Sequence, residues 1–218
     1  MNPENNALKR THFIGGPPRV CKGILANRFA RQIHGHVTST DAIVDAVKEA
    51  FKKKEGDLFV VNQFEELPDV EWIRRLEEPK KIVEIQNTES RAAWPSVLGF
   101  CNNFYQDNEI HILEGVAILP ELVVNMQHRP DHIVFVGNTG PAHWKMMLEH
   151  SHDNPELDWM ATVGFDEDKI KAMGVFVQKM SEYFRNEATK YGFRYAEISD
   201  ENFDEDIQQI VNEITSGR

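Results

Sequence analysis

The segment THFIGGPPRVCKGILANRFARQI, running from Thr11 to Ile33, restricts the possible folds of this chain more than any other. Thr11 to Gly15 reads as a short buried strand, and Ile24, Leu25, Phe29 and Ile33 then recur at helical spacing. Two glycines and two prolines separate the patterns, so the chain must pass from strand to helix through one tight turn. A strand feeding directly into a helix needs that helix as a crossover to a parallel neighbour, which points to an α/β sheet.

The rest of the chain repeats the plan. HGHVTST predicts a second strand, with Asp41 opening a helix whose apolar face is Ile43, Val44, Val47 and Phe51. KKKEGD closes that helix, with lysines in its last turn and Gly56 beyond. Residues 57–108 carry helical periodicity interrupted by Pro79 and Pro95 and are expected to form a helical insertion. HILEGVAIL predicts a third strand, DHIVFVG a fourth and RYAEIS a fifth. Helices are expected over PAHWKMMLEH, from about Asp166 to Tyr191, and from Phe203 to Ile214. Five strands separated by helices predict one domain over 1–218, with a parallel sheet covered on both faces.

A length of 218 residues suits such a domain. The net charge of −11 disfavours nonspecific attraction to nucleic acid, so a polyanionic ligand would need a local positive pocket. No apolar run approaches the roughly 20 residues needed to cross a bilayer, and MNPENNALKR lacks the apolar core of a secretion signal. The expectation is a cytoplasmic protein with neither a nucleic-acid nor a membrane partner. Cys21 and Cys101 cannot make a disulfide framework, and the groups His34 to His36 and Glu149 to Asp153 match no zinc spacing.

Gly16, Pro17, Pro18, Arg19, Val20, Cys21, Lys22 and Gly23 occupy the eight positions of the phosphate-loop pattern Gly, four residues, Gly, Lys, Ser or Thr. In that pattern, backbone amides and the following helix N-terminus form an anion cup into which the lysine directs its charge. With Ile24, these residues are the candidate phosphate-binding stretch. Two positions depart from the pattern. Cys21 replaces the second glycine, at a cost of roughly 1–2 kcal/mol if that residue is left-handed. Gly23 replaces the hydroxyl that would coordinate Mg²⁺, a place a water can fill at about 0–2 kcal/mol. Beside Lys22 at a helix N-terminus, the Cys21 thiolate would be favoured, giving a redox-sensitive thiol as one reading and an inert loop residue as the other.

Together with VTSTD at the end of the second strand and ILEGVAILPEL at the third, GGPPRVCKGILA resembles the P-loop small-molecule kinases. The likeness is to the branch holding nucleoside and nucleotide kinases and 2-phosphoglycerate-kinase-like proteins. It implies a three-layer P-loop NTPase fold, strand order 2-3-1-4-5, with ATP or another nucleoside triphosphate as donor, Mg²⁺, and a small anionic or hydroxylated metabolite as acceptor. By this resemblance Lys22 contacts the β and γ phosphates and Arg19 adds charge at the mouth. Asp41 orients or deprotonates the acceptor hydroxyl, while Glu114 holds Mg²⁺ through water or assists Asp41. Arg91, within the substrate-side insertion, meets an anionic acceptor flanked by Trp94.

Other readings stand beside these. Asp41 also suits a helix cap, Arg91 a solvated surface and Trp94 the core. The lid expected at 139–169 contains no arginine and only Lys145 and Lys169 as fixed cations, a third departure from the family. Two functions therefore remain open: a kinase transferring a γ-phosphoryl to a small metabolite, or a catalytically silent nucleotide or phosphometabolite sensor or interaction domain of the same fold.

Overall fold

The computed structural model describes residues 10–51, 78–106, 109–127 and 129–216. Within them, β1 (Thr11–Gly15), β2 (His36–Ser39), β3 (His111–Gly115), β4 (His132–Gly137) and β5 (Arg194–Glu197) form one sheet. All neighbours pair parallel, in the order β2-β3-β1-β4-β5. The strand–turn–helix reading thus holds for the whole sheet. All five residues of β1 are buried, as a central parallel strand requires. The outer strands β2 and β5 have no fully buried residue.

The flanking helices are α1 (Lys22–Ile33), α2 (Thr40–Phe51), α3 (Pro79–Cys101), α4 (Pro120–Val124), α5 (His143–Asp153), α6 (Trp159–Thr162), α7 (Glu167–Lys190) and α8 (Phe203–Thr215). Helix α1 packs on α8, while α7 packs on β4, α5 and α3, and α3 also meets α2. The start of α7 is fixed by Asp166, whose side chain accepts from Lys169 N–H at 2.9 Å. Helix α8 opens on Asp204, Glu205 and Asp206 and buries Ile207, Ile210, Val211 and Ile214 along one face.

Two boundaries differ from the sequence reading. Pro95 does not interrupt α3, which runs unbroken from Pro79 to Cys101. Pro79 lies in the first turn, where no amide is needed, and Pro95 is exposed, so the carbonyl it leaves unpaired lies on the wet side. The third strand stops at Gly115 instead of continuing to Leu119, which places Glu114 one residue from its carboxyl end. Of the expected insertion, α3 and a 3₁₀ turn (Asn102–Gln106) are described, while 52–77 and 107–108, including KKKEGD, lie outside the described residues. Among the described residues no helix is long and apolar enough to cross a membrane.

From β1 the chain crosses leftward to β2, and from β3 it crosses rightward to β4, so a crevice opens between the carboxyl ends of the adjacent strands β1 and β3. Gly16 follows one of these ends and Glu114 lies at the other.

The opposite edge carries a titratable defect. His12 is buried, its Nδ1 has no hydrogen-bond partner, and its ring stacks on His132 with centroids 5.1 Å apart. Burial first, and His132 second, lower its pKa from 6.5 to about 4. A histidine with a depressed folded pKa contributes full stability above its unfolded pKa and loses it as pH falls toward the folded value. Between pH 7 and pH 5 this residue should cost roughly 2 kcal/mol in urea unfolding, a slope that His12→Phe removes while preserving the ring contact with Phe29.

Candidate functional site

The turn after β1 is crowded from its first residue. A Cβ on Gly16 would collide with the carbonyl oxygen of Val136 on β4, so only glycine fits. The chain then passes through two non-glycine residues with positive φ, Arg19 at 64° and Cys21 at 59°, while Val20 between them has none. Such alternation turns successive amides toward one side, the geometry of an anion-binding nest. Cys21 is the N-cap residue of α1 and makes no side-chain cap bond; its carbonyl accepts from the amides of Ile24 and Leu25 at 3.0 and 3.1 Å. The left-handed conformation considered from the sequence is present, with its cost of roughly 1–2 kcal/mol.

Lys22 folds back over this turn. Its Nζ donates to the carbonyl of Pro17 at 2.6 Å, and the side chain is buried. Glu114 also lies within reach of its charge. Burial raises the Glu114 pKa and Asp41 raises it further, whereas Lys22 and a hydrogen bond from Ser39 act against the rise. Lys22, Asp41 and Glu114, named from three separate stretches of sequence, thus share one end of the sheet. Ser39 stands opposite Glu114 in the β2–β3 register. Its Oγ accepts from the amide of Asp41 at 3.3 Å, so the capping contact belongs to Ser39. Asp41 itself is exposed in the first turn of α2. A Cβ on Gly115 would strike Thr40 Oγ1 and approach Asp41 Oδ1 to 3.2 Å, so this second glycine keeps α2 and β3 together.

Arg91 does not join this group through any of its ion pairs. Its Nε meets Glu121 Oε1 at 2.6 Å and its guanidinium meets Glu84 at 2.8 Å, contacts that raise its pKa. Trp94 is buried edge-on against Phe13 at 6.3 Å. The two lid lysines lie over rings, Lys145 over Trp144 and Lys169 over Phe165.

What the 139–169 segment brings to the loop is different. Asp158, whose side chain is fully buried, pairs with Arg19 at 2.6 Å, and His143 Nε2 donates to the Arg19 carbonyl at 3.0 Å. His143 Nδ1 faces Asp200 Oδ1 at 2.7 Å, and Asn138 Nδ2 donates to the same oxygen at 2.8 Å. These four residues were not anticipated from the sequence. Asn138 follows the end of β4 and Asp200 lies just past β5, so the rule that ligand groups gather beyond carboxyl strand ends could have flagged them. Nothing local marks His143 or Asp158, which lie 124 and 139 residues from Arg19.

The chemistry available is that of an anion site beside two carboxylates. Lys22, Arg19 and the amides of the turn carry the positive side; Asp41 and Glu114 can hold a proton or a metal-bound water. Among the described residues no three His, Cys, Asp or Glu side chains are grouped to hold a metal unaided. Mg²⁺ ordinarily uses one or two carboxylates with substrate phosphates and waters, and Glu114, near the carboxyl end of β3, fits that arrangement. A Cβ on Gly23 meets nothing within 4 Å, leaving room for a water in place of the missing hydroxyl. Beside Gly23, the residues Ile24, Asn27, Arg28 and Arg31 of α1 line a shallow, open depression. No family model matches this chain, and no curated protein matches its sequence.

Of the two readings of Cys21, its surroundings favour the inert loop residue. Burial raises its thiol pKa, outweighing Arg19 and Lys22, and Asp200 adds to the rise. In the native protein at pH 7.5, Cys21 should alkylate with iodoacetamide several times more slowly than glutathione. Mass spectrometry of the labelled peptide checks this, and labelling as fast as that of the free thiol would restore the thiolate reading.

Proposed function

We infer that this protein is a P-loop kinase-like protein that binds a nucleoside triphosphate and transfers its γ-phosphoryl to a hydroxylated metabolite. The observation that carries the reading is the convergence of Lys22, Asp41 and Glu114 at the β1/β3 crevice, beside a turn with alternating backbone handedness. Lys22 exchanges the Pro17 carbonyl for phosphate oxygens. Asp41, exposed and relieved of capping, orients the acceptor hydroxyl and takes its proton. Glu114 would hold Mg²⁺ through water, and the ion would supply neutralising charge for phosphoryl transfer. Cytoplasmic location is part of the same proposal.

A silent sensor of the same fold is the second reading, favoured by one specific feature. Beside His143, the 139–169 segment directs the carboxylate of Asp158 at the loop, and a carboxylate opposes phosphoryl-transfer charge.

Binding and turnover separate the two. Lys22→Ala should weaken Mg²⁺–ATP binding by roughly tenfold or more in isothermal titration, the value of one charge-assisted contact. Asp41→Ala should leave that affinity nearly unchanged and abolish transfer from γ-labelled ATP into a panel of hydroxylated metabolites. ATP binding with no transfer into any acceptor would establish the sensor.

Gly23→Ser provides a separate check. The open space at Gly23 admits the hydroxyl, and serine is the better helix former by about 0.5 kcal/mol. The variant should melt no lower than wild type, and Mg²⁺ should increase its ATP affinity more than it does that of the parent. Equal Mg²⁺ dependence would remove this position from the metal site.

A further inference from the structure

Arg19 is tied to the rest of the protein at both ends. Its carbonyl receives the Nε2–H of His143, a ring itself buried and braced by Asp200. Its guanidinium faces Asp158 through two contacts, Nη2 to Oδ2 at 2.6 Å and Nη1 to Oδ1 at 3.4 Å. The backbone anchor fixes where the side chain starts; the ion pair fixes where it ends.

The position of the guanidinium matters because it acts on the loop as well as on Asp158. It lowers the pKa of the Cys21 thiol, so its charge is felt at the mouth of the turn. Asp158 has a separate structural duty. Its Oδ1 accepts the amide of Met160 at 2.8 Å and caps α6, a contact that needs an oxygen but no charge. The negative charge of Asp158, fully buried, is therefore surplus to capping and directed at Arg19, with His150 Nε2 standing 3.9 Å away.

The geometry points to Arg19 as a phosphate ligand for which Asp158 and an anion over the loop compete. This rests on reading Gly16–Gly23 as a phosphate site. A carboxylate offers the guanidinium one negative charge, whereas a di- or triphosphate offers more charge and more acceptor oxygens in the same planar fork. Anion binding then draws Arg19 from Asp158, and the 139–169 segment controls affinity by giving up a cation it restrains. Asp158 is a positioning residue in this account and never touches the ligand.

Asp158→Asn separates the charge from the cap, because an asparagine oxygen still accepts from Met160. Inorganic pyrophosphate and ATP are titrated into the full chain by calorimetry. The variant should bind both more tightly than wild type, by roughly tenfold or more, because in wild type the anion must draw Arg19 from a carboxylate that is fully buried. Arg19→Ala should bind more weakly than wild type, and Arg19→Ala/Asp158→Asn no more tightly than Arg19→Ala alone. If Asp158→Asn fails to fold, Asp158→Ser, another capping residue without charge, replaces it in the same comparison.

A purely structural pair gives the opposite signs: folded Asp158→Asn with unchanged or weaker affinity overturns the proposal, as does a gain that persists without Arg19. Lys22→Ala keeps this failure distinct from that of the phosphate site. Pyrophosphate binding that Lys22→Ala reduces but Asp158→Asn leaves alone removes only the role of Arg19. Binding indifferent to Lys22, or absent from both wild type and Asp158→Asn, removes the phosphate site and the role of Arg19 together.

Discussion

The carbonyl of Val136 lies so close to Gly16 that no side chain fits between them, and the arrangement at the carboxyl edge of the sheet follows from that contact. It pins the chain against β4 immediately after the β1–β4 pairing ends at Gly15 and Phe135. Only Pro17 to Cys21 then remain before α1 begins at Lys22. A turn this short between a fixed strand and a fixed helix leaves little conformational choice. Left-handed Arg19 and Cys21 are the result, and they persist because Asp158 and His143 hold one of them from outside. The strain is local; the support for it comes from elements more than a hundred residues away.

The same edge concentrates charge in a way the whole-chain balance hides. Lys22 and Arg19 lie among Asp41, Glu114, Asp158 and Asp200 in a protein of net charge −11. The two cations are not equivalent. Lys22 is buried against a backbone carbonyl, a weak partner that a phosphate oxygen readily replaces. Arg19 is held by a full carboxylate, so the turn has one cation immediately available and one under restraint. Under the proposed role of Arg19, such a site would discriminate by ligand charge, because a monoanion has little advantage over Asp158 and a polyanion has a large one.

Much of the fold was legible because it depends on periodicity. Continuous burial of β1, the spacing of Leu25 and Phe29, and the apolar runs of β3 and β4 each pointed to the sheet that forms. The continuity of α3 was not legible, since a proline at 95 reads as a break unless its exposure is known. At the site, Asp41 and Glu114 could be named because VTSTD and ILEGVAILPEL resemble a family pattern, even though the end of β3 was read four residues too late, and Lys22 because its spacing is visible. Asp158 and His143 could not, because a side chain that crosses from a distant helix leaves no local pattern. The place of Arg91 was not legible either: its ion pairs are with Glu84 and Glu121, partners that lie 7 and 30 residues away in sequence.

Under the proposed function, Glu114 is the group whose state depends most on what else is bound. Its proton affinity is raised by burial and by Asp41 and held down by Lys22. A phosphate that takes the Lys22 charge removes that restraint, so metal-free nucleotide drives Glu114 toward its protonated form. Mg²⁺ acts in the opposite sense, favouring the carboxylate that would hold its waters. Nucleotide alone and nucleotide with metal thus push one side chain in opposite directions. The division of labour between Asp41, taking the acceptor proton, and Glu114, supporting the metal, arises only when both are present.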